Sequence, residues 1–477
     1  MPTLRSPTPR CRTVPPGAAW LAGALLLSLA AGAPAAAPAA LPVMVLAPVS
    51  VAPMQWRDRT LANGLRVLSS DSPASPTVSV QVWYRVGSKD DPEGRSGFAH
   101  LFEHMMFKST RYLAAEQFDR LTEDVGGANN ASTLDDVTEY HEVVPSNHLE
   151  RLLWAEAERM ANLDVNEANF NSERAVVEQE FRQRILAAPY GRLDYVVHAN
   201  AFRVHPYRRP GIGSIEELDA ATLDDVRRFH ATYYRPDNAV LVVTGDFEPA
   251  RLDAWVDRYF GPLVRPAAPI PRVTESEPPW PQDRHFEVTA PAVPLPAVAL
   301  SWLGPPGDDP DAPPLRVVEA LLAGGESARL NQALVYRDQI ASQAAFSFDG
   351  RADAGLLVAT VIAARGARLD RLAAALQAQI ARLATVPVGA AELDKVKAQL
   401  LTQALIERQT PGGLGAVLGY AATVEGDPAR VNTELTALQA VTAADVQRVV
   451  RRWLVGAHFN QITYVAQPEA PAAGGKP

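Results

Sequence analysis

The feature that most constrains this fold is an internal duplication. "TLDDVRRFHATYYRPDNAVLVV" (Thr222 to Val243) can be laid over "TAADVQRVVRRWLVGAHFNQITYV" (Thr442 to Val465), and "VNEANFNSERAVVEQE" (Val165 to Glu180) over "VGAAELDKVKAQLLTQ" (Val388 to Gln403), at a separation of about 220 residues in both cases. In the first pair, each copy runs from a threonine placed to cap a helix, through Asp-Val at the same offset, into an apolar strand. Alanine-rich helices resemble one another by composition alone. The two halves also share an order, however, of strand-rich start, helical middle and strand end, which a chance likeness of helices does not produce. Alternation in "VSVQVWYRV" (Val78 to Val86) and the buried run "NAVLVVTGDF" (Asn238 to Phe247) mark strands of the first copy. "PAAPIPRVTESEPPWPQD" (Pro266 to Asp283) is too proline-rich for either regular state. The expected fold is therefore α+β: two homologous, duplicated α/β-sandwich domains, residues 54–265 and 284–467, each a mainly antiparallel sheet packed with helices. The linker is residues 266–283, and residues 468–477 are expected to be a flexible tail.

The first residues do not belong to that globule. Arg5, Arg10 and Arg12 precede the apolar run "AAWLAGALLLSLAAGA", and small-residue sites such as Ala37-Pro38-Ala39 follow, so residues 1–39 read as a signal peptide with an Ala/Pro-rich leader. The run is shorter than the roughly 20 residues of a spanning helix, so no stable membrane span is expected after leader removal. Cys11, the one cysteine, lies before the run, which excludes lipid attachment at its end. The exported product, expected in the periplasm of a Gram-negative bacterium, must then hold together by its core alone. Loss of the three leader arginines takes the formal charge from -9 to -12, and so acidic a chain is a poor partner for nucleic acid.

One short stretch concentrates chemistry. "GFAHLFEHMMFKST" (Gly97 to Thr110) places His100, Glu103 and His104 within five positions. On a helix, residues i and i+4 lie one turn apart on the same face, so both histidines can present a ring nitrogen to one ion. With a further carboxylate, Zn2+ would have three protein ligands and an open position, as a catalytic site requires, and Glu103 stands where a general base is needed. By chance, H-x-x-E-H arises on the order of once in a hundred sequences of this length and histidine content. The other histidines show no comparable spacing and read as structural or surface residues.

This inverted order is the inverzincin arrangement. With "GGANNASTLDDVTEYHEVVP" (Gly126 to Pro145), "SERAVVEQEF" (Ser172 to Phe181), "HPYRRPGIGSIEEL" (His205 to Leu218) and "YYRPDNAVLVVTGDF" (Tyr233 to Phe247), the sequence resembles the pitrilysin/insulinase family of zinc peptidases (M16). It is most similar to the short two-domain bacterial members related to the mitochondrial processing peptidase, from Thr60 to about Val465. The resemblance implies one Zn2+ per chain, held by His100, His104 and Glu180, with Glu103 as general base and Glu173 supporting the site. It also implies that peptide substrates add as a strand at an edge that includes Asn130 and Ala131.

The chain departs from that pattern in its second half. Val335 and Ser342 stand where the resemblance calls for an arginine and a tyrosine that help bind substrate and the tetrahedral intermediate. Val396 and Gln403 fall opposite Glu173 and Glu180, so the second copy has no metal site. The implied protein is a zinc endopeptidase acting on short or unfolded peptides in a closed chamber. It is expected to act as the zinc-bearing member of a dimer whose partner, a family member, carries the Arg/Tyr pair. The competing expectation is a non-catalytic assembly or scaffold subunit, or a peptide-binding protein with structural zinc.

Overall fold

The strongest alternation in the chain, "TVSVQVWY", forms β3 (Thr77–Tyr84) at the middle of a six-stranded sheet. The computed structural model describes residues 51–468. The expected leader, and the expected tail beyond Pro468, lie outside those residues. The other strands of this sheet are β1 (Arg57–Thr60), β2 (Arg66–Asp71), β4 (Ala128–Thr133), β5 (Thr138–Pro145) and β6 (Ala239–Gly245), in the order β1-β2-β6-β3-β5-β4. A second sheet contains β7 (Arg284–Ala290), β8 (Ala297–Gly304), β9 (Ala341–Asp349), β10 (Gly355–Ala363) and β11 (Asn460–Ala466), in the order β7-β11-β8-β10-β9. β2 pairs parallel to β6 and β7 parallel to β11, and the remaining pairings are antiparallel. The α+β fold with two mainly antiparallel sheets is thus as expected.

The duplication is visible down to its caps. Thr222 accepts from the Asp225 backbone N–H while the Asp225 carboxylate reaches back to Thr222, and Thr442 and Asp445 repeat the arrangement. Each such box satisfies two backbone donors that a helix start leaves without partners. Residues 266–283 form neither helix nor strand. They are nevertheless tied down, because Arg272 donates to the Arg85 carbonyl at 2.8 Å and Trp280 is buried. Among the described residues, no helix is long and apolar enough to cross a membrane.

Four helices matter for the site: α1 (Phe98–Met105), α2 (Glu167–Phe181), α3 (Gly191–Ala201) and α4 (Pro411–Thr423). Side chains on a strand alternate between faces, so β3 serves two cores. Val78, Val80, Val82 and Tyr84 pack against helices of their own half, including Phe98, Leu101 and Phe102 of α1. Trp83, with Leu68, Val240 and Val242, packs instead against Leu418, Ala421 and Ala422 of α4, which comes from the second half. The exchange is mutual. α3 leaves the first half and lays Leu193 and Val197 on Ala297, Ala299, Ile462 and Tyr464 of the second sheet.

Close approach of α4 depends on its small residues. Gln81 donates to the Gly412 carbonyl at 2.8 Å and Thr244 to that of Pro411 at 2.6 Å. A Cβ on Gly419 would stand 2.3 Å from the Trp83 ring. Overpacking of that kind costs about 1–3 kcal/mol. Gly419→Val should therefore lower the thermal unfolding midpoint by several degrees, whereas Gly389→Ala, where a Cβ meets open space, should leave it essentially unchanged in the same calorimetric scan.

Candidate active site

The helix that carries the H-x-x-E-H stretch is fixed at its start. Gly97 caps α1 in the left-handed region, at φ 90, and a Cβ there would lie 2.9 Å from the Ile212 carbonyl. Only glycine meets both demands cheaply. The Asp91 side chain, buried, accepts from the backbone N–H groups of Gly97 at 2.7 Å and Ala99 at 2.9 Å. Two donors of the first turn thereby find partners without water. Phe98, Leu101, Phe102 and Met105 go into the core, which leaves His100, Glu103 and His104 on the face that is not buried against the sheet.

α2 supplies the third member. Nε2 of His100 and Nε2 of His104 both lie 3.5 Å from the same Glu180 oxygen, Oε2. One ligand atom from each of the three residues falls within 4.8 Å of the others. Two imidazoles and a carboxylate converging on one point are a donor set suited to Zn2+, and three protein ligands leave a position open. Among the described residues this is the one such group of three. The His100 and His104 rings meet edge to face at 5.0 Å between centroids. Nδ1 of His100 is buried without a hydrogen-bond partner.

Each carboxylate has a different neighbour. Nδ1 of His104 lies 3.6 Å from Oε2 of Glu173, so that Glu173 and Glu180 flank the ring on its two nitrogens. Glu173 is held in turn by Lys108 Nζ at 2.7 Å and by the Ser172 hydroxyl at 3.0 Å. Oε1 of Glu180 accepts from Arg184 at 2.5 Å. Glu103 stands apart from the trio, and its Oε2 accepts from the Thr133 hydroxyl at 2.6 Å.

The electrostatics follow. Burial pulls the His100 imidazole down to about 4, with His104 pushing the same way. Burial opposes the His104 cation too, but Glu173 and Glu180 outweigh it and raise that ring to about 9. His104, together with His100 and Arg184, holds the Glu180 carboxyl down at about 2 against its burial. For Glu103, burial raises the carboxyl and the Thr133 hydroxyl resists.

The remaining residues singled out in the sequence are less central. Asn130 and Ala131 lie on β4, the edge strand of the first sheet, with Ala131 turned into the core and Asn130 exposed. Val335 packs against the second core and Ser342 is exposed at the start of β9. Nearby, Tyr336 bonds Glu326 and Arg337 pairs with Asp338. Val396 is buried in the second core and Gln403 bonds Glu407. Sequence reasoning passed over Thr133, Lys108 and Arg184. Lys108 was not findable from spacing, because it lies past the end of α1 and its partner, Glu173, is on another helix. Arg184 was findable, since it follows Glu180 by four, the spacing at which helical residues of opposite charge meet.

A cavity of about 480 Å3 is lined by Thr133 and Arg184, the partners of Glu103 and Glu180, though not by those two carboxylates or by His100 and His104, together with Tyr195 from the first half and Arg351 and Tyr420 from the second.

The insulinase family (peptidase family M16) matches residues 66–214, and the peptidase M16 inactive domain matches residues 220–400. Zinc protease PqqE of Helicobacter pylori is 33% identical over 345 residues, covering 71% of this chain and 77% of that protein. The probable mitochondrial-processing peptidase subunit beta of Arabidopsis thaliana is 25% identical over 413 residues, covering 84% of this chain and 76% of its own. The crystal structure of a protease from Helicobacter pylori superimposes with a TM-score of 0.83 at 28% identity, covering 87% of this chain and 100% of that one. The chain belongs to the M16 family of metallopeptidases.

Asp91→Ala would strand two buried backbone donors at the start of α1, at a cost of about 1–3 kcal/mol. The expected outcome is a lower unfolding midpoint together with weaker zinc retention in a chelator titration, and Asp91→Asn, which keeps an acceptor, should be milder on both.

Proposed function

We propose that the protein is an exported zinc endopeptidase in which His100, His104 and Glu180 hold the metal and Glu103 is the general base. The observation that carries the reading is the convergence of three ligand atoms within 4.8 Å, with a fourth side chain, Glu103, on the same helix face but outside the cluster. A bound zinc ion would supply Lewis acidity toward the scissile carbonyl and lower the pKa of the attacking water. Glu103 takes the proton of that water and passes it to the leaving amine. Its Thr133 hydrogen bond fixes which oxygen is free for the transfer. Glu173 orients His104 from behind, as partners of metal-ligating histidines commonly do.

The substrate reading is a short or unfolded peptide added in extended form along β4, where Asn130 and Ala131 lie. Backbone pairing at a sheet edge gives affinity with little side-chain choice. Residues 54–265 would form the catalytic domain and residues 284–467 a domain without metal, consistent with the placement of Val335 and Ser342. We infer that a companion chain of the same family closes the chamber and brings the arginine and tyrosine. Export to the periplasm rests on the leader read from the sequence.

Glu103→Gln is the test. The variant should keep one zinc per chain and an unchanged unfolding midpoint while losing roughly 100-fold or more in peptide hydrolysis. His104→Ala should lose the zinc as well. If Glu103→Gln still turns over peptide at the rate of the unchanged protein, the base assignment is wrong. If zinc is retained but no peptide is cleaved even with a companion family member present, the chain is a scaffold or a peptide-binding protein.

A further inference from the structure

We infer that Arg184 contacts the substrate, its guanidinium donating to the carbonyl oxygen of the peptide bond under attack. The inference rests on the peptidase reading above and adds to it a cationic donor supplied by this chain itself.

The two oxygens of Glu180 face different partners. Oε2 faces both imidazoles and Oε1 accepts from Arg184. The guanidinium therefore stands a single carboxylate away from the three-ligand cluster. Arg184 follows Glu180 by four positions and lies in a π-helical turn, Arg182–Ala187, that continues α2 past Phe181 and in which the Ala188 N–H bonds back to Gln183. Turns of that kind inside or at the end of α-helices often accompany functional sites.

Arg184 is not used up by that contact. A guanidinium has five N–H donors in a fixed fork, and this side chain remains 69% exposed. It lines the 480 Å3 cavity, as does Thr133, whose hydroxyl holds Glu103. The cavity thus touches the support of the base at one point and the partner of the third ligand at another, so an extended peptide entering it would pass within reach of both.

Neighbouring cations are placed differently. Arg351 also lines the cavity but is buried, its Nε shared between Asp135 at 3.0 Å and Asp349 at 2.7 Å. Arg209 donates to the Lys89 carbonyl. Arg182, two positions before Arg184, pairs with Glu178 and does not line the cavity. A salt bridge serving the surface alone is worth little, and needs no cavity beside it. Donors aimed at developing negative charge in a sheltered site are worth far more.

The decisive comparison is Arg184→Ala and Arg184→Lys against the unchanged full-length protein, alone and with a companion family member. Three quantities are read: zinc per chain by mass spectrometry, kcat and KM on a fluorogenic peptide, and affinity for a phosphinic peptide whose tetrahedral phosphinate mimics the intermediate. Arg184→Ala should keep its zinc and its KM within about threefold and lose roughly 100-fold in kcat. Phosphinic-peptide affinity should fall by a comparable factor, with partial recovery in Arg184→Lys. Unchanged kcat and phosphinate affinity in Arg184→Ala would overturn the inference. So would a loss of activity that simply follows a loss of zinc, since Arg184 would then only steady Glu180. Unchanged protein that holds no zinc and cleaves nothing would overturn the peptidase reading and this inference with it, whereas active unchanged protein beside an equally active Arg184→Ala overturns this inference alone.

Discussion

The position of Glu180 depends on apolar contacts made in the other half of the chain. Phe181 next to it meets Tyr195 edge to face at 5.6 Å, and Tyr195 sits on α3, whose Leu193 and Val197 are buried against the second sheet. The second half contributes no ligand to the cluster, yet it holds the helix that braces the third one. α4 returns the constraint by covering the rear of the first sheet with Leu418, Ala421 and Ala422. Large apolar contact on both faces makes each sheet a closed core, and a close-packed core passes a displacement on rather than absorbing it.

Around the cluster, three carboxylates are kept from acting as one. Glu103 has a hydroxyl, Glu173 an ammonium and Glu180 a guanidinium as its nearest non-histidine partner. Like charges confined together would otherwise share protons and lose their separate roles. Under the proposed function, the different partners suit Glu103 to act as base, Glu173 as orienting acceptor and Glu180 as ligand. His104, with Glu173 on one nitrogen and Glu180 on the other, is the residue that links those two.

Much of the fold was legible. The capping boxes at Thr222 and Thr442 and the alternation in β3 are local signals, and local signals survive into the structure because they act over one turn or one strand. The histidine pair was legible for the same reason, since i and i+4 share a face whatever the helix packs on. Glu180 was not legible from its own surroundings, where it reads as one acidic residue in an acidic run, and family likeness pointed to it. The exchange of α3 and α4 was not legible at all. Periodicity shows that a helix has an apolar face but not which sheet receives it, and α4, with Gly412, Gly413, Gly415 and Gly419, reads as a weak helix until Gln81 and Trp83 are seen beneath it.

The traded helices also bear on how such a chain came to be. A single-copy ancestor of half this length would have one sheet face bare unless a second, identical molecule lent its helix, so its folding would have depended on concentration. Joining two copies in one gene makes that partner permanent and sets its effective concentration by a short tether rather than by the cell. In this chain the second copy carries Val396 and Gln403 where the first carries Glu173 and Glu180, so the permanent partner supplies packing and no carboxylate at those positions.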